Sequence, residues 1–120
     1  MIKLTFCLVR LPHLTRAEFQ DYWLNRHGPL VASVKDALRI RRYVQTHSLP
    51  AQISESLRAT RGGPEGYDGV AELWWDSFED MAQDEDAAKA SVLLLEDEKT
   101  FIDLTRSPLW WSREHVIIGA

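Results

Sequence analysis

Apolar and polar residues alternate from Ile2 to Arg10, with Ile2, Leu4, Phe6 and Leu8 on one face and Lys3, Thr5, Cys7 and Val9 on the other. A period of two predicts a strand with one clearly apolar side. Pro12 stops it. Thr15-Arg-Ala-Glu18 fits a capping box, in which hydroxyl and carboxylate each satisfy a free backbone N–H, so a helix is predicted from about Arg16. Phe19, Tyr22 or Trp23, Arg26 or His27, and Leu30 follow at the spacing that places side chains on one helical face. Gly28-Pro29 reads as a break near Arg26 or His27, because glycine ends a helix easily and proline suits the first turn of a new one. The second piece, from about Pro29 to Leu38, gathers Leu30, Val31, Val34 and Leu38 into a stripe. A second strand over residues 39–49 carries Tyr43, Gln45 and His47 on one face and Ile40, Val44 and Thr46 around Arg42 on the other, and Pro50 ends it.

Periodicity then lapses. Residues 51–68 lead into Arg61-Gly-Gly-Pro-Glu-Gly66, which reads as a flexible connection with room for one helical turn at Ile53 and Leu57, and as a lid or surface loop over a cavity. A third strand over 70–75 turns Ala71, Leu73 and Trp75 toward the helices and Val70, Glu72 and Trp74 away. Ser77 to Asp80 predicts a helix start that runs through Met81 and Ala82, breaks at Asp84 to Asp86 and resumes over Ala87 to Leu95. Glu96-Asp97-Glu98 reads as a solvated turn, Phe101 to Leu104 as a short anchor, and Pro108 to Ile118 as the last strand. The order is that of an α+β, ferredoxin-like βαββαβ fold: a single domain over residues 1–120 whose four-stranded antiparallel sheet is covered by helices on one face. The uncovered face would carry Val9, Val70, Trp74 and one of Trp110 or Trp111 as an apolar patch, so a homodimer packed through the helix-free sheet face is expected.

Composition narrows the function classes. A chain of 120 residues with 45% hydrophobic and 27% charged residues is an ordinary globular domain, large enough for a core without staples. A net charge of −4 offers no footprint for nucleic acid or an anionic membrane surface. The single Cys7 excludes an internal disulfide, and no signal peptide or membrane-length apolar run is present, so a cytoplasmic protein is expected. Five Trp and three Tyr in so short a chain point to a pocket or an interface.

The candidate chemistry centres on two histidines. Helix carbonyls favour His27 as an imidazolium and surrounding aromatics disfavour it, which suits general acid or base work; its structural reading is a helix-capping ring. His47 shares a strand face with Tyr43 and Gln45 and could shuttle a proton while these orient a polar aromatic molecule; its structural reading is an exposed strand end. Tyr22, Trp23 and Trp75 are candidates for the wall. Glu72, alone among apolar neighbours, needs a cation such as Lys3, Arg41, Arg42 or Arg113, and reads as a structural ion pair. His13 and His115 are lesser candidates, and Cys7 lacks an obvious activating neighbour. The four histidines are at least fourteen residues apart and no Cys-x-x-Cys or His-x-x-x-His spacing occurs, so no metal site is predicted. Gly62 to Gly66 lacks the spacing of a phosphate-cradling loop, so no nucleotide cofactor is predicted.

Taken together, Phe19-x-x-Tyr22-Trp23-x-x-x-His27-x-Pro29-Leu30, Tyr43-Val-Gln-Thr-His47, Tyr67-Asp-Gly-Val-Ala-Glu-Leu-Trp-Trp-Asp76, Asp97-Glu-x-x-Phe101-Ile-Asp103 and Glu114-His115 resemble the EthD family of the dimeric α+β barrel superfamily. Thr46 stands where the family pattern usually has Asn. The resemblance implies a homodimer with a metal-free, cofactor-free site between helices and sheet in each subunit. Two functions of different class follow. One is a cofactor-independent enzyme of lyase or isomerase type, acting by proton transfer in a cyclisation, isomerisation or decarboxylation of an aromatic or polyketide-like small molecule, with His27 and His47 as acid and base and Tyr22, Trp23, Tyr43, Gln45 and Trp75 holding the substrate. The other is a non-catalytic small-molecule-binding or accessory protein of the same fold; a cofactorless monooxygenase is also open.

Overall fold

The computed structural model of the chain describes residues 1–119. Strand β1 (Ile2–Leu8) lies at the centre of one sheet, between β3 (Gly69–Trp75) and β4 (Leu109–Ser112), and β2 (Arg42–His47) forms the outer edge beyond β3. Every pairing is antiparallel, and the register sets Leu4 opposite both Leu73 and Trp111. Because side chains alternate across a strand, that register gathers Leu4, Phe6, Tyr43, Ala71, Leu73 and Trp111 on the face that meets the helices.

The helical layer begins with α1 (Arg16–Tyr22), whose Thr15 and Glu18 form the expected capping box: the Glu18 N–H donates to Thr15 Oγ1 at 3.1 Å and the Thr15 N–H to Glu18 Oε1 at 2.9 Å. It does not break at Gly28-Pro29. The chain runs through a π turn over Trp23–His27 into α2 (Gly28–Ser33) and then α3 (Lys35–Leu38). Gly28 has ordinary right-handed helical geometry, φ −53°, and its N–H donates to the Trp23 carbonyl five residues back. Its missing side chain serves a close approach, since a Cβ there would stand 3.2 Å from Gln45 Nε2.

Other boundaries also differ from those read in the sequence. Residues 51–61 form an eleven-residue helix, α4 (Ala51–Arg61), rather than a flexible connection. None of its side chains is buried, and Ile53 is 61% exposed, so α4 is set by local propensity and by its ends: Pro50 before it, and Gly62 in the left-handed conformation after it, where the N–H closes on Ala59 O. Residues 77–82 are a turn and not a helix: the Asp80 N–H donates to Ser77 Oγ at 3.2 Å and the Met81 N–H closes on the Phe78 carbonyl at 3.3 Å, and no helical turn follows within this stretch. The acidic Asp84 to Asp86, read as an interruption, opens α5 (Glu85–Glu98), with Asp84 Oδ1 accepting the Ala87 N–H at 2.9 Å. That helix absorbs Glu96-Asp97-Glu98, so these residues are not a solvated turn. β4 ends at Ser112 rather than near Ile118, and Val116, Ile117 and Ile118 are exposed.

The helix-free sheet face is less apolar than expected. Lys3 Nζ lies 2.6 Å from Glu72 Oε2, identifying the cation that Glu72 needs, and Thr5 bonds Ser112 across the sheet. Trp74 is capped by the Arg42 guanidinium, 4.8 Å above its ring, and donates its indole N–H to Glu114 Oε1 at 2.6 Å. Of the two candidate indoles Trp110 belongs to this face, opposite Thr5, and Trp111 to the other.

One end of the domain is tied by Asp68, 4% exposed, which accepts the Arg10 N–H at 2.8 Å, an ion pair from the Arg10 guanidinium, and Arg16 Nε at 3.0 Å. Burial would raise this carboxyl; those donors outweigh it and hold it below its usual range. Next to it, Gly69 starts β3 under Trp23, and a Cβ there would stand 2.7 Å from Trp23 Cη2 and 2.8 Å from the Thr46 carbonyl. Among the described residues no helix is long and apolar enough to cross a membrane. Gly69→Ala is expected to destabilise the domain by about 1–3 kcal/mol through overpacking, read as a lower denaturation midpoint at unchanged slope; an unchanged midpoint would mean that Trp23 has room to move.

Candidate active site

A cavity of about 290 Å³ lies between the helices and the sheet. Leu4 and Phe6 from β1, Tyr43 from β2, Ala71, Leu73 and Trp75 from β3, and Leu109 and Trp111 from β4 form its floor. Trp23, His27 and Val31 from the helical layer, Met81 and Ala82 from the turn, and Ser91, Leu94 and Glu98 from α5 form its roof. Among the described residues the Tyr43 hydroxyl is the one side-chain oxygen that the sheet contributes.

His27 is 6% exposed and ends the π turn beside Phe101, ring centroids 5.0 Å apart. Its Nδ1 is 2.7 Å from Asp97 Oδ2, and the Tyr22 hydroxyl donates to Asp97 Oδ1 at 2.5 Å. A carboxylate can only accept, so the His27 proton belongs on Nδ1 and Nε2 carries the lone pair. Among the described residues Nε2 has no hydrogen-bond partner. Burial pushes the His27 pKa down, against the opposing pull of Asp97, so the ring is a neutral base near pH 7.

Glu98 follows Asp97 at the end of α5 and turns into the cavity. Its carboxyl has no hydrogen-bond partner among the described residues. Burial first, and the Asp97 charge second, push its pKa up to about 7. A carboxylic acid that is partly protonated at neutral pH therefore shares one apolar chamber with a neutral imidazole.

The residues singled out in the sequence separate into two groups. Trp23, His27, Tyr43 and Trp75 line the cavity; Tyr22, Gln45 and His47 do not. His47 lies stacked on the Trp23 ring at 4.4 Å and donates from Nε2 to Gln45 Oε1 at 2.7 Å. Gln45 in turn donates to the Trp23 carbonyl and to the Tyr43 hydroxyl, both at 2.8 Å. The structure does not bring His27 and His47 together in the cavity: His47 bonds Gln45, and Gln45 bonds two cavity walls. Tyr22 acts through Asp97 in the same indirect way.

Asp97, Glu98 and Trp111 were not read as site residues: the first two were placed in a solvated turn and in the family motif, and Trp111 was one of two candidates for the uncovered sheet face. The signal was there: Ala87, Ala90 and Leu94 form the buried stripe of α5, and continuing its spacing reaches 97 or 98 and then Phe101, which is buried. Three acidic residues in a row concealed it. Among the described residues no three His, Cys, Asp or Glu side chains are grouped so as to hold a metal ion.

The EthD domain matches residues 11–105, most of the chain and all of the helical roof. The chain belongs to the EthD domain family. Similar solved structures include an ethyl tert-butyl ether (EthD) family protein from Bacillus halodurans, 16% identical over 96% of this chain and 100% of that one with a TM-score of 0.59. An EthD-like protein from Ralstonia eutropha is 20% identical, covering 98% and 94% of the two chains with a TM-score of 0.57. A protein from Bacteroides fragilis, described as dimeric, of unknown function and of ferredoxin-like fold, is 10% identical over 94% and 95% with a TM-score of 0.55. At these identities the likeness is one of fold. No curated protein matches the chain.

Glu98 gives this EthD domain a measurable pH signature. Unfolded, the carboxyl titrates near 4.5; folded, near 7. Between those values the folded state holds more protons than the unfolded one, so the group's contribution is intact below about pH 4.5 and is lost as pH rises through 7. Glu98→Gln removes that loss. The variant is expected to be more stable than the wild type by an amount that grows from nothing at pH 4.5 to on the order of 3 kcal/mol above pH 7. Paired urea titrations across this range measure the difference, and a pH-independent difference would mean that Glu98 is solvated.

Proposed function

We propose that this EthD domain is a cofactor-independent enzyme that moves protons on a small aromatic or polyketide-like molecule bound in the cavity, in a cyclisation or isomerisation. The observation that carries the reading is His27, held by Asp97 with its free Nε2 at an apolar chamber. Asp97 fixes tautomer and ring orientation and favours the imidazolium once a proton has been taken, while the surrounding rings keep the resting imidazole neutral and therefore able to act as a base. Trp23, Trp75 and Trp111 offer flat, rigid walls to an aromatic or extended conjugated ligand, and the indole N–H of Trp75 is already committed to the Leu38 carbonyl at 2.8 Å, which locks its plane.

A small aryl ketone with acidic C–H bonds, 2-tetralone, is a suitable probe. The wild type is expected to accelerate exchange of its C1 protons in D2O, followed by NMR, and His27→Gln to slow that exchange by about 10²–10⁴-fold with the fold unchanged by circular dichroism. Equal exchange by the two proteins would remove His27 from the chemistry. Binding of 2-tetralone without accelerated exchange would favour the non-catalytic, ligand-holding reading.

Assembly as a homodimer through the helix-free sheet face belongs to the same proposal. Support comes from Trp110, 47% exposed among the half-buried Val44 and Val70, and from the description of the Bacteroides fragilis neighbour as dimeric. The ion pair of Lys3 with Glu72 and the Arg42 cap over Trp74 make this a mixed surface, of the kind that fixes register between copies. Sedimentation velocity at micromolar concentration is expected to show a dimer for the wild type and a monomer for Trp110→Glu. A wild-type monomer would overturn the assembly.

A further inference from the structure

Glu98 is expensive where it stands. A carboxyl that faces an apolar chamber with no hydrogen-bond partner among the described residues, next to the Asp97 charge, weakens the fold relative to an amide or a methyl group. Nothing in the packing requires it: the buried stripe of α5 is made by Ala87, Ala90 and Leu94, and the bond to the π turn by Asp97. The titratable groups around it are Asp97 on its own helix, His27 from the π turn and Tyr43 from β2; the side chains that β1, β3 and β4 present to the cavity are apolar. No Lys or Arg lines the chamber among the described residues.

We propose that Glu98 is a second catalytic residue, the acid partner of His27, and that the pair acts on a neutral, enolisable ketone rather than on a carboxylate. The inference rests on the reading of the cavity as a proton-transfer site and specifies its substrate. In the step, the bond between the α-carbon and its hydrogen breaks and the proton forms an N–H bond at His27 Nε2. The released electron pair becomes the C=C bond of the enol. The carbonyl π pair moves to oxygen, which takes the proton of the Glu98 carboxyl. The products are a neutral enol, an imidazolium backed by Asp97, and a Glu98 carboxylate in the same chamber. Where the enol is conjugated to a further C=C bond, return of the proton from His27 to the far carbon of that dienol isomerises the ketone. Where the molecule carries a second carbonyl, attack of the enol carbon on it closes a ring and its oxygen takes the proton from the His27 imidazolium. In either case the enol O–H proton returns to Glu98 as the first carbonyl reforms. No oxidant or metal enters the balance. A substrate carboxylate, by contrast, would be buried without a counter-cation beside Asp97 and Glu98, where both desolvation and like charge oppose it.

Exchange of the 2-tetralone C1 protons in D2O tests the acid, and ligand charge tests the substrate class. Glu98→Gln keeps the shape and cannot give up a proton, so kcat for exchange is expected to fall about 10²-fold or more while KM stays within a few-fold. The wild-type rate should decline as pH rises through about 7, where Glu98 loses its proton, and this alkaline limb should be absent in Glu98→Gln and present in Glu98→Asp. A Glu98→Gln enzyme that keeps the rate and the limb overturns the role of Glu98 and leaves that of His27 standing. Absence of wild-type exchange overturns the proton-transfer reading itself. Separately, quenching of tryptophan fluorescence is expected to show 2-naphthol binding on the order of tenfold or more tighter than 2-naphthoate. Equal binding of the two overturns the neutral-substrate assignment, with no variant needed.

Discussion

The carbonyl of Trp23 accepts two donors, the Gly28 N–H from within the helix and Gln45 Nε2 from the sheet. An ordinary α-turn would close that carbonyl on residue 27; the π turn passes its bond one residue further on and leaves space beside it for the amide of Gln45. The geometry works because residue 28 is glycine and because β2 places Gln45 in front of it. From this one contact the rest of the site follows. Trp23 is pinned over Gly69 with its ring between Phe19 and His47, at 1% exposure, and His27 at the far end of the turn is brought round to Asp97. The helix is widened rather than broken, so the direction of the chain and the position of the imidazole are set by the same hydrogen bond.

The second tie, from Tyr22 and His27 to Asp97, joins the first helical segment to the end of α5 and closes the roof. It also creates the electrostatic asymmetry of the chamber. Asp97 spends its charge on two donors and favours a protonated His27, yet it raises Glu98 next to it, which has no donor of its own. Two adjacent carboxyls of one helix turn thereby stand in different surroundings, Asp97 engaged by two donors and Glu98 left as a reservoir for a proton. Such separation of neighbouring groups is the usual physical basis for assigning acid and base roles, and it costs stability that the core must supply elsewhere.

The alternation of Ile2 to Leu8, the capping box at Thr15 and the buried faces of the strands were legible in the sequence because each is a short-range pattern read on one element. The family resemblance rested on the same segments. What was not legible depended on partners distant in the chain. Gly28-Pro29 has the chemistry of a helix break, and only Gln45, seventeen residues away, makes it a π turn. His27 was picked out, but its partner was sought in His47, which shares its residue type, rather than in Asp97, seventy residues on and hidden in an acidic run. Helix α4 was missed for the opposite reason. It buries nothing, so a search for an apolar stripe could not see it, whereas its Ala, Gln, Glu and Arg content and its glycine stop were sufficient.

The chamber itself arises from a mismatch of sizes. Three indoles, Trp23, Trp75 and Trp111, line it together with large aliphatic side chains, and Ala71, Ala82 and Ser91 contribute little volume of their own. Interiors normally close to crystal-like density; here the Trp75 plane is tied through its N–H to Leu38, and Trp111 meets Trp75 and Phe78 edge-on at 5.4 and 5.2 Å. The fixed plane of Trp75 and the small side chains of Ala71, Ala82 and Ser91 leave a hollow among the Leu and Met residues of the lining. Glu98 faces the same hollow. An unfilled apolar volume and an unpaired carboxyl each weaken the fold, and a ligand carbonyl is the group that would relieve both, by occupying the volume and by accepting the carboxyl proton.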